Sequence, residues 1–196
     1  MEMPFDAFSE VADEALLVLF ANGDRAAARV LTERLAPPAF RLASRLLSDP
    51  AEAEDVAQEA MLRVWRVAPE WRQGEAKVST WLYTVVRNLC TDRLRKRKTP
   101  VAALDAVPEP ADDAPGAVQQ MTETARADAL QAALHQLPDR QREAVVLRHL
   151  EGLANPEIAQ ILDISTEAVE SLTARGKRAL KAILAGRREE LGYEDE

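Results

Sequence analysis

Residues 155–178 read Asn155-Pro156-Glu157-Ile158-Ala159-Gln160-Ile161-Leu162-Asp163-Ile164-Ser165-Thr166-Glu167-Ala168-Val169-Glu170-Ser171-Leu172-Thr173-Ala174-Arg175-Gly176-Lys177-Arg178. Asn155 followed by Pro156 predicts a capped helix start with proline at the first helical position. A short helix from Pro156 to Leu162 is then expected, followed by a tight turn at Asp163-Ile164-Ser165. Ser165 is expected to cap a long helix from Thr166 to about Arg188. Short helix, tight turn and long helix make the helix-turn-helix plan. Ala159 is small where the helices must approach, and Ile158, Ile164 and Val169 are apolar where they must pack. Asp163 occupies a turn position where glycine is common, and aspartate tolerates the left-handed backbone better than most residues. The second helix is basic, with Arg175, Lys177, Arg178, Lys181, Arg187 and Arg188. Its first turns offer Thr166, Glu170, Ser171, Ala174 and Arg175, which suit base reading: glutamate accepts from cytosine and arginine pairs with guanine. Lys177 and Arg178 complete the candidate surface. A plain helical hairpin shares this geometry; the caps and the basic helix favour DNA.

Upstream, helices are expected from about Ala125 to Gln136 and from Asp139 to Leu150, with Leu137-Pro138 between them and Glu151-Gly152 as the stop. Residues 99–124 hold Pro100, Pro108, Pro110 and Pro115 and five acids, with no Lys or Arg. Such a composition buries too little surface to order itself and reads as a linker. The chain is therefore expected to divide into residues 1–98, a tether at 99–124, and residues 125–196.

The first part also reads as helical. Helices are expected at Asp13 to Ala21, then from the Asp24 cap to Leu35, where Pro37-Pro38 ends one helix and starts another running to Leu47. After the Ser48-Asp49-Pro50 turn, a helix from Ala51 to about Val67 buries Ala53, Val56, Ala57, Ala60 and Val64 at helical spacing. Its other face carries Asp55, Gln58, Glu59, Leu62 and Arg66, with Trp65 at the edge. An acidic face with an apolar anchor suits protein docking, but from these residues alone a solvated face with one stray leucine, which is common, is the favoured reading.

A loop from Pro69 to Ser79 contains Trp71, Arg72, Gly74 and Lys77, and Ser79 is expected to cap a helix to about Lys98. Leu82, Val85, Val86 and Leu89 form its core stripe, and Trp81, Thr84, Asn88, Thr91 and Arg95 share another face. Half of the twelve side chains at 87–98 are basic, in a chain of net charge −8. Concentrating positive charge costs self-repulsion and points to a polyanion, although basic residues also complement a helix C-terminus. Tyr83 and Trp81 beside the basic track suit unpaired bases, which stack on aromatic faces, although core packing reads equally for Trp81. On that shared face the Asn88 amide can read a base edge and Arg95 can hold a phosphate.

With 47% apolar residues, few glycines and an abundance of Ala, Leu, Arg and Glu, the chain of 196 residues is expected to be all-α. A single cysteine, Cys90, fits a reducing cytoplasm and a small core residue. No apolar run reaches the roughly 20 residues of a membrane span, so no membrane insertion is expected. His135, His149 and Cys90 lack metal-ligand spacing, and no Gly-rich phosphate loop occurs; no cofactor, metal or catalysis is expected.

Taken in order, these motifs resemble the extracytoplasmic-function (ECF) group of bacterial RNA polymerase sigma factors. Ala53-Glu54-Asp55-Val56-Ala57-Gln58-Glu59 with Leu62-Arg63-Val64-Trp65 is similar to the family's polymerase-binding helix. Thr80-Trp81-Leu82-Tyr83, Arg87-Asn88 and Asp92-Arg93-Leu94-Arg95 are similar to its −10 reading segment, and Leu137 to Glu143, Leu147-Arg148, Glu151-Gly152 and Glu157-Ile158-Ala159 to its second domain. The resemblance implies that Asp55, Gln58, Glu59, Leu62 and Trp65 bind core RNA polymerase. It implies that the loop at 70–79, with Trp71, Arg72 and Lys77, captures a flipped base of the opened −10 element together with Asn88, and that Arg87, Arg93, Arg95 and Lys96 hold backbone phosphates. It implies −35 reading by the helix from Thr166, a linker threading the polymerase's RNA path, and a stress-responsive factor held by an anti-sigma factor and monomeric when free. At Glu170 and Ala174 many relatives carry a basic and a bulky residue, which bears on the promoter sequence rather than on docking. Two rivals are a stand-alone helix-turn-helix regulator, disfavoured by the acidic net charge and the lack of a dimer helix, and a decoy for the anti-sigma factor, disfavoured by the basic run Arg93 to Lys98.

Overall fold

The structure is a computed structural model that describes residues 8, 10–72, 74, 77–98 and 118–185, with side chains excepted at 98 and 118–124. Among these residues the regular structure is entirely helical. Eight α-helices follow one another: α1 Asp13–Ala21, α2 Arg25–Leu46, α3 Pro50–Val67, α4 Val78–Lys98, α5 Val118–His135, α6 Asp139–Val145, α7 Asn155–Leu162 and α8 Thr166–Ala185. A 3-10 turn, Ala68–Glu70, follows α3, and a π-helical turn, Val146–Leu150, extends α6. The tether and the C-terminal tail at 189–196 lie largely outside the described residues. The last part of the expected linker, 118–124, is the helical first stretch of α5, which begins seven residues before the expected Ala125.

In the first domain, α2 packs on α1, α3 and α4. The caps at α2 and α3 form as read. Asp24 accepts from the Ala26 and Ala27 amides at 2.8 and 3.1 Å, and Asp49 from those of Ala51 and Glu52 at 2.9 and 3.2 Å. The expected break at Pro37-Pro38 does not occur; α2 runs through both prolines. Leu31, Leu35, Ala39, Leu42 and Leu46 form one buried stripe across the site. Each proline removes one amide donor; Pro37 and Glu33 face solvent, where water can satisfy the carbonyl that Pro37 leaves without one. Core burial on the inner face outweighs the two lost bonds. All five stripe residues expected in α3 are buried.

Ser79 is not the cap of α4. The helix starts one residue earlier, and the Val78 amide donates to Glu14 Oε1 of α1 at 2.9 Å. A carboxylate from a remote helix thus occupies the positive end of α4, a pairing that local sequence does not announce.

The second domain contains the helix-turn-helix at α7 and α8. Asp163 adopts φ 54° and ψ 54°, the left-handed turn anticipated for it. Ser165 Oγ accepts from the Ala168 amide at 3.2 Å, as expected of a cap. Asn155 is the first helical residue rather than the cap: α7 is capped at Ala154, whose amide donates to Glu157 Oε2 at 3.1 Å. Glutamate at this position outcompetes the asparagine by reaching back to the orphan amide. Ile158 and Val169 are fully buried, and α8 also lies against α6 at Gly176. A Cβ on Gly176 would come within 2.5 Å of Val145 Cγ2, so glycine permits this close approach.

Candidate docking and nucleic-acid interface

Three surfaces collect the candidate residues. The first is an open groove of about 740 Å³ between α2 and α3, lined by Phe40, Met61, Leu62 and Trp65, with Glu33, Glu54 and Gln58 at its rim. Phe40 and Leu62 are 41% and 49% exposed, two of the three large apolar side chains standing in solvent among the described residues. An apolar trough with an acidic rim accepts an amphipathic helix bearing basic flanks. Asp55 is exposed, while Glu59 pairs with Arg63 at 2.9 Å, which holds its carboxyl below the usual range. Trp65 is stacked obliquely on Phe20, with centroids 4.6 Å apart, and so braces the groove from beneath. Phe40 was missed from sequence, because the prolines hid that this residue continues the same helix.

The second surface is α4 with its approach. Trp71 meets Trp81 edge-to-face at 6.0 Å, and the indole N–H of Trp71 is buried with no partner among the described residues. Asn88 is exposed and accepts from Arg87 Nη1 at 3.0 Å. Arg95 and Lys96 lie exposed beyond it, and Arg72 and Lys77 flank the helix start. Residues 73, 75 and 76 of the expected base-capturing loop lie outside the described residues.

Two side chains assigned to this surface sit differently. Arg93 donates to the Glu52 carbonyl at 2.6 Å and ties α4 to α3. Tyr83 is buried, 7% exposed, and its hydroxyl donates to Glu151 Oε2 at 3.0 Å; burial, then the Glu151 charge, pushes the phenol above its usual range. Cys90 is buried beneath the same helix, and desolvation pushes its thiol up to about 12, so it is an inert core residue.

The third surface is α8, where Glu170, Ser171, Ala174, Arg175, Lys177 and Arg178 are exposed and Thr166 is half-buried. Asn155 Nδ2 reaches Glu170 Oε1 at 3.4 Å, the one polar bond linking the two helices' outer faces among those described. No group of His, Cys, Asp and Glu among the described residues could hold a metal ion.

Comparison with known proteins agrees with this geometry. The Sigma-70 region 2 model matches residues 31–99, and the Sigma-70, region 4 model matches residues 127–180. Over 181 residues the chain is 35% identical to the ECF RNA polymerase sigma factor SigM of Mycobacterium tuberculosis, covering 92% of this chain and 88% of SigM. The chain belongs to the ECF RNA polymerase sigma factors. Two solved structures share the fold. CnrH in complex with the cytosolic domain of CnrY matches with a TM-score of 0.66 at 24% identity, over 89% of this chain and 97% of that one. The sigma factor RpoE in complex with the anti-sigma factor NepR, from Bartonella quintana, matches with a TM-score of 0.62 at 23% identity, over 80% and 96%. As a sigma factor, the chain binds core RNA polymerase and directs promoter-specific initiation of transcription. None of the described helices is long and apolar enough to cross a membrane.

Proposed function

We propose a division of labour among the three surfaces. The groove of Phe40, Met61, Leu62 and Trp65, with Asp55, Gln58 and Glu59 beside it, docks on a helical element of core polymerase. Helix α4, with Trp71, Arg72, Lys77 and Trp81 around its start, captures the opened −10 strand. Asn88 reads a base there while Arg87, Arg95 and Lys96 hold phosphates. The exposed face of α8 reads the −35 duplex through Glu170, Ser171 and Arg175, with Lys177 and Arg178 on its backbone. Residues 1–98 and 125–196 act as the two working units and 99–124 as their anionic tether. The place of action is the cytoplasm, and the role is regulatory rather than catalytic.

The observation that carries this reading is the pairing of an exposed apolar groove on one side of the first domain with an aromatic and basic helix on another. An anti-sigma partner, such as the one bound in the RpoE–NepR complex, would act by covering the groove. Run-off transcription with purified core polymerase on a genomic promoter library tests the assignment. Leu62→Asp is expected to weaken polymerase binding roughly 30-fold, as an anchor worth about 2 kcal/mol would, with an unchanged melting curve. Asn88→Ala is expected to leave polymerase binding intact and to reduce promoter opening. Equal loss of both activities in the Asn88 variant would refute the division.

A further inference from the structure

Asn155 has the chemistry of a helix cap, yet at α7 that duty falls to Glu157, which takes the Ala154 amide at 3.1 Å. The Asn155 side chain, half-buried at the start of α7, crosses instead to α8, where its Nδ2 stands 3.4 Å from Glu170 Oε1. Glu170 is the fifth residue of α8 and is exposed. Ala174, one turn further on, is also exposed and is too short to cover the carboxylate. The helix dipole does not call for Glu170. Glu167 already serves the positive end of α8: its own backbone amide, and next the Ser165 hydroxyl, hold its carboxyl below the usual range.

An acid on a helix that approaches DNA is unfavourable, because phosphates repel it. That repulsion is offset only where the carboxylate meets hydrogen-bond donors. In the major groove the donors are the amino groups of cytosine and adenine; guanine and the thymine oxygen present acceptors there. Adenine sets its N7 acceptor beside the amino group, so cytosine is the better match. The Asn155 amide suits this use. It is neutral, so Glu170 keeps its charge, which a lysine or arginine in its place would cancel. It occupies one oxygen and leaves Oε2 to accept from a base. A free glutamate loses rotamer freedom on meeting a base, and a tethered one loses less. Arg175, Lys177 and Arg178, further along α8, supply the attraction to the duplex, so Glu170 acts on preference more than on affinity.

We propose that Glu170 selects a cytosine in the −35 duplex and that Asn155, on the preceding helix, is its positioning residue. The reading element is then a pair of side chains from both helices of the helix-turn-helix rather than α8 alone. The inference rests on the assignment of α8 to the −35 duplex and names the base that one of its side chains takes.

The test uses the full chain assembled with core polymerase. Its template is a promoter recovered by run-off transcription, with the −35 element randomised, the −10 element held constant and a barcode in each transcript. Sequencing gives the preference at each −35 position as a ratio within one variant, so a loss of folded protein lowers all yields alike and leaves the ratio unchanged. The wild-type holoenzyme is expected to favour cytosine about tenfold at one position, the scale of a single mismatch. Glu170→Gln should move that preference to adenine, whose N6 and N7 a glutamine matches. Asn155→Ala and the isosteric Asn155→Asp should keep cytosine first but cut the preference to about threefold, as loss of one exposed hydrogen bond would. A wild-type profile from Glu170→Gln overturns the base assignment, and so does a uniform loss across all sequences. An undiminished preference in both Asn155 variants overturns the positioning role. If exchanging the whole −35 element leaves the wild-type yield unchanged, the assignment of α8 itself fails, a separate result.

Discussion

Helices α4 and α8 are both assigned to DNA, yet they are built in opposite ways. α4 contributes Val78, Leu82, Tyr83, Val86 and Cys90 to the core, whereas α8 buries only Val169 and Gly176. α4 is capped by Glu14 of another helix and α8 by its neighbour Ser165. The second domain also touches α4, where Glu143 pairs with Arg87, although Asn88, Arg95 and Lys96 of α4 are exposed, as is the outer face of α8. The difference suits the two substrates proposed for them. A duplex is rigid, so the helix that enters its groove must project from the protein. A separated strand is flexible and can lie down on a helix that is part of the core, provided one face carries aromatics and bases.

Four substitutions sharpen or break that contrast. Leu82→Ala is expected to cost about 3 kcal/mol of first-domain stability, because it empties a fully packed site. Leu180→Ala on the half-buried flank of α8 should cost clearly less. Denaturant melts of the two variants compare them, and equal losses would mean that the helices are not embedded differently. Gly176→Val is expected to cost about 2 kcal/mol by forcing α8 off α6, where Val145 and the Gln141 carbonyl crowd the new side chain. Its melt should show the second domain loosened, and hydrogen exchange in α4 should be unaltered apart from the covering surface; a wild-type melt would show that the close approach is dispensable. Arg175→Ala should weaken holoenzyme recruitment about tenfold, or about 1.4 kcal/mol, at promoters carrying the preferred base opposite it. Competition binding with substituted −35 duplexes checks this, and a uniform loss across sequences would demote Arg175 to a phosphate contact.

Much of this architecture was legible where local chemistry decides it. Asn22-Gly23 closes α1 at Ala21 as expected, and the Asp163 turn and Ser165 cap of the helix-turn-helix form as the side chains dictate. The misreadings fall where distant residues intervene. Pro37-Pro38 signals a break, but the buried stripe from Leu31 to Leu46 holds α2 straight through it and thereby brings Phe40 into the docking groove. Ser79 and Asn155 are good caps displaced by better-placed glutamates, one of them 64 residues away in sequence. The pairing of Arg87 with Glu143 spans 56 residues, and periodicity carries no trace of it. Tyr83 follows the aromatic run that reads as a stacking platform, yet its ring is buried and only its hydroxyl reaches the domain boundary. Composition could place a polyanion site near α4; it could not show that the chain supplies its own anions.

The bond between Val78 and Glu14 extends the vulnerability of α4 beyond its own residues. A protease that trims the chain past α1 would remove no residue assigned to promoter contact, yet it would leave the first turn of α4, beside Trp81, with an uncapped amide. Fraying at that end would degrade strand melting, and because α1 also carries Phe20, the same cut would take the brace from beneath Trp65, so one cleavage reaches two surfaces.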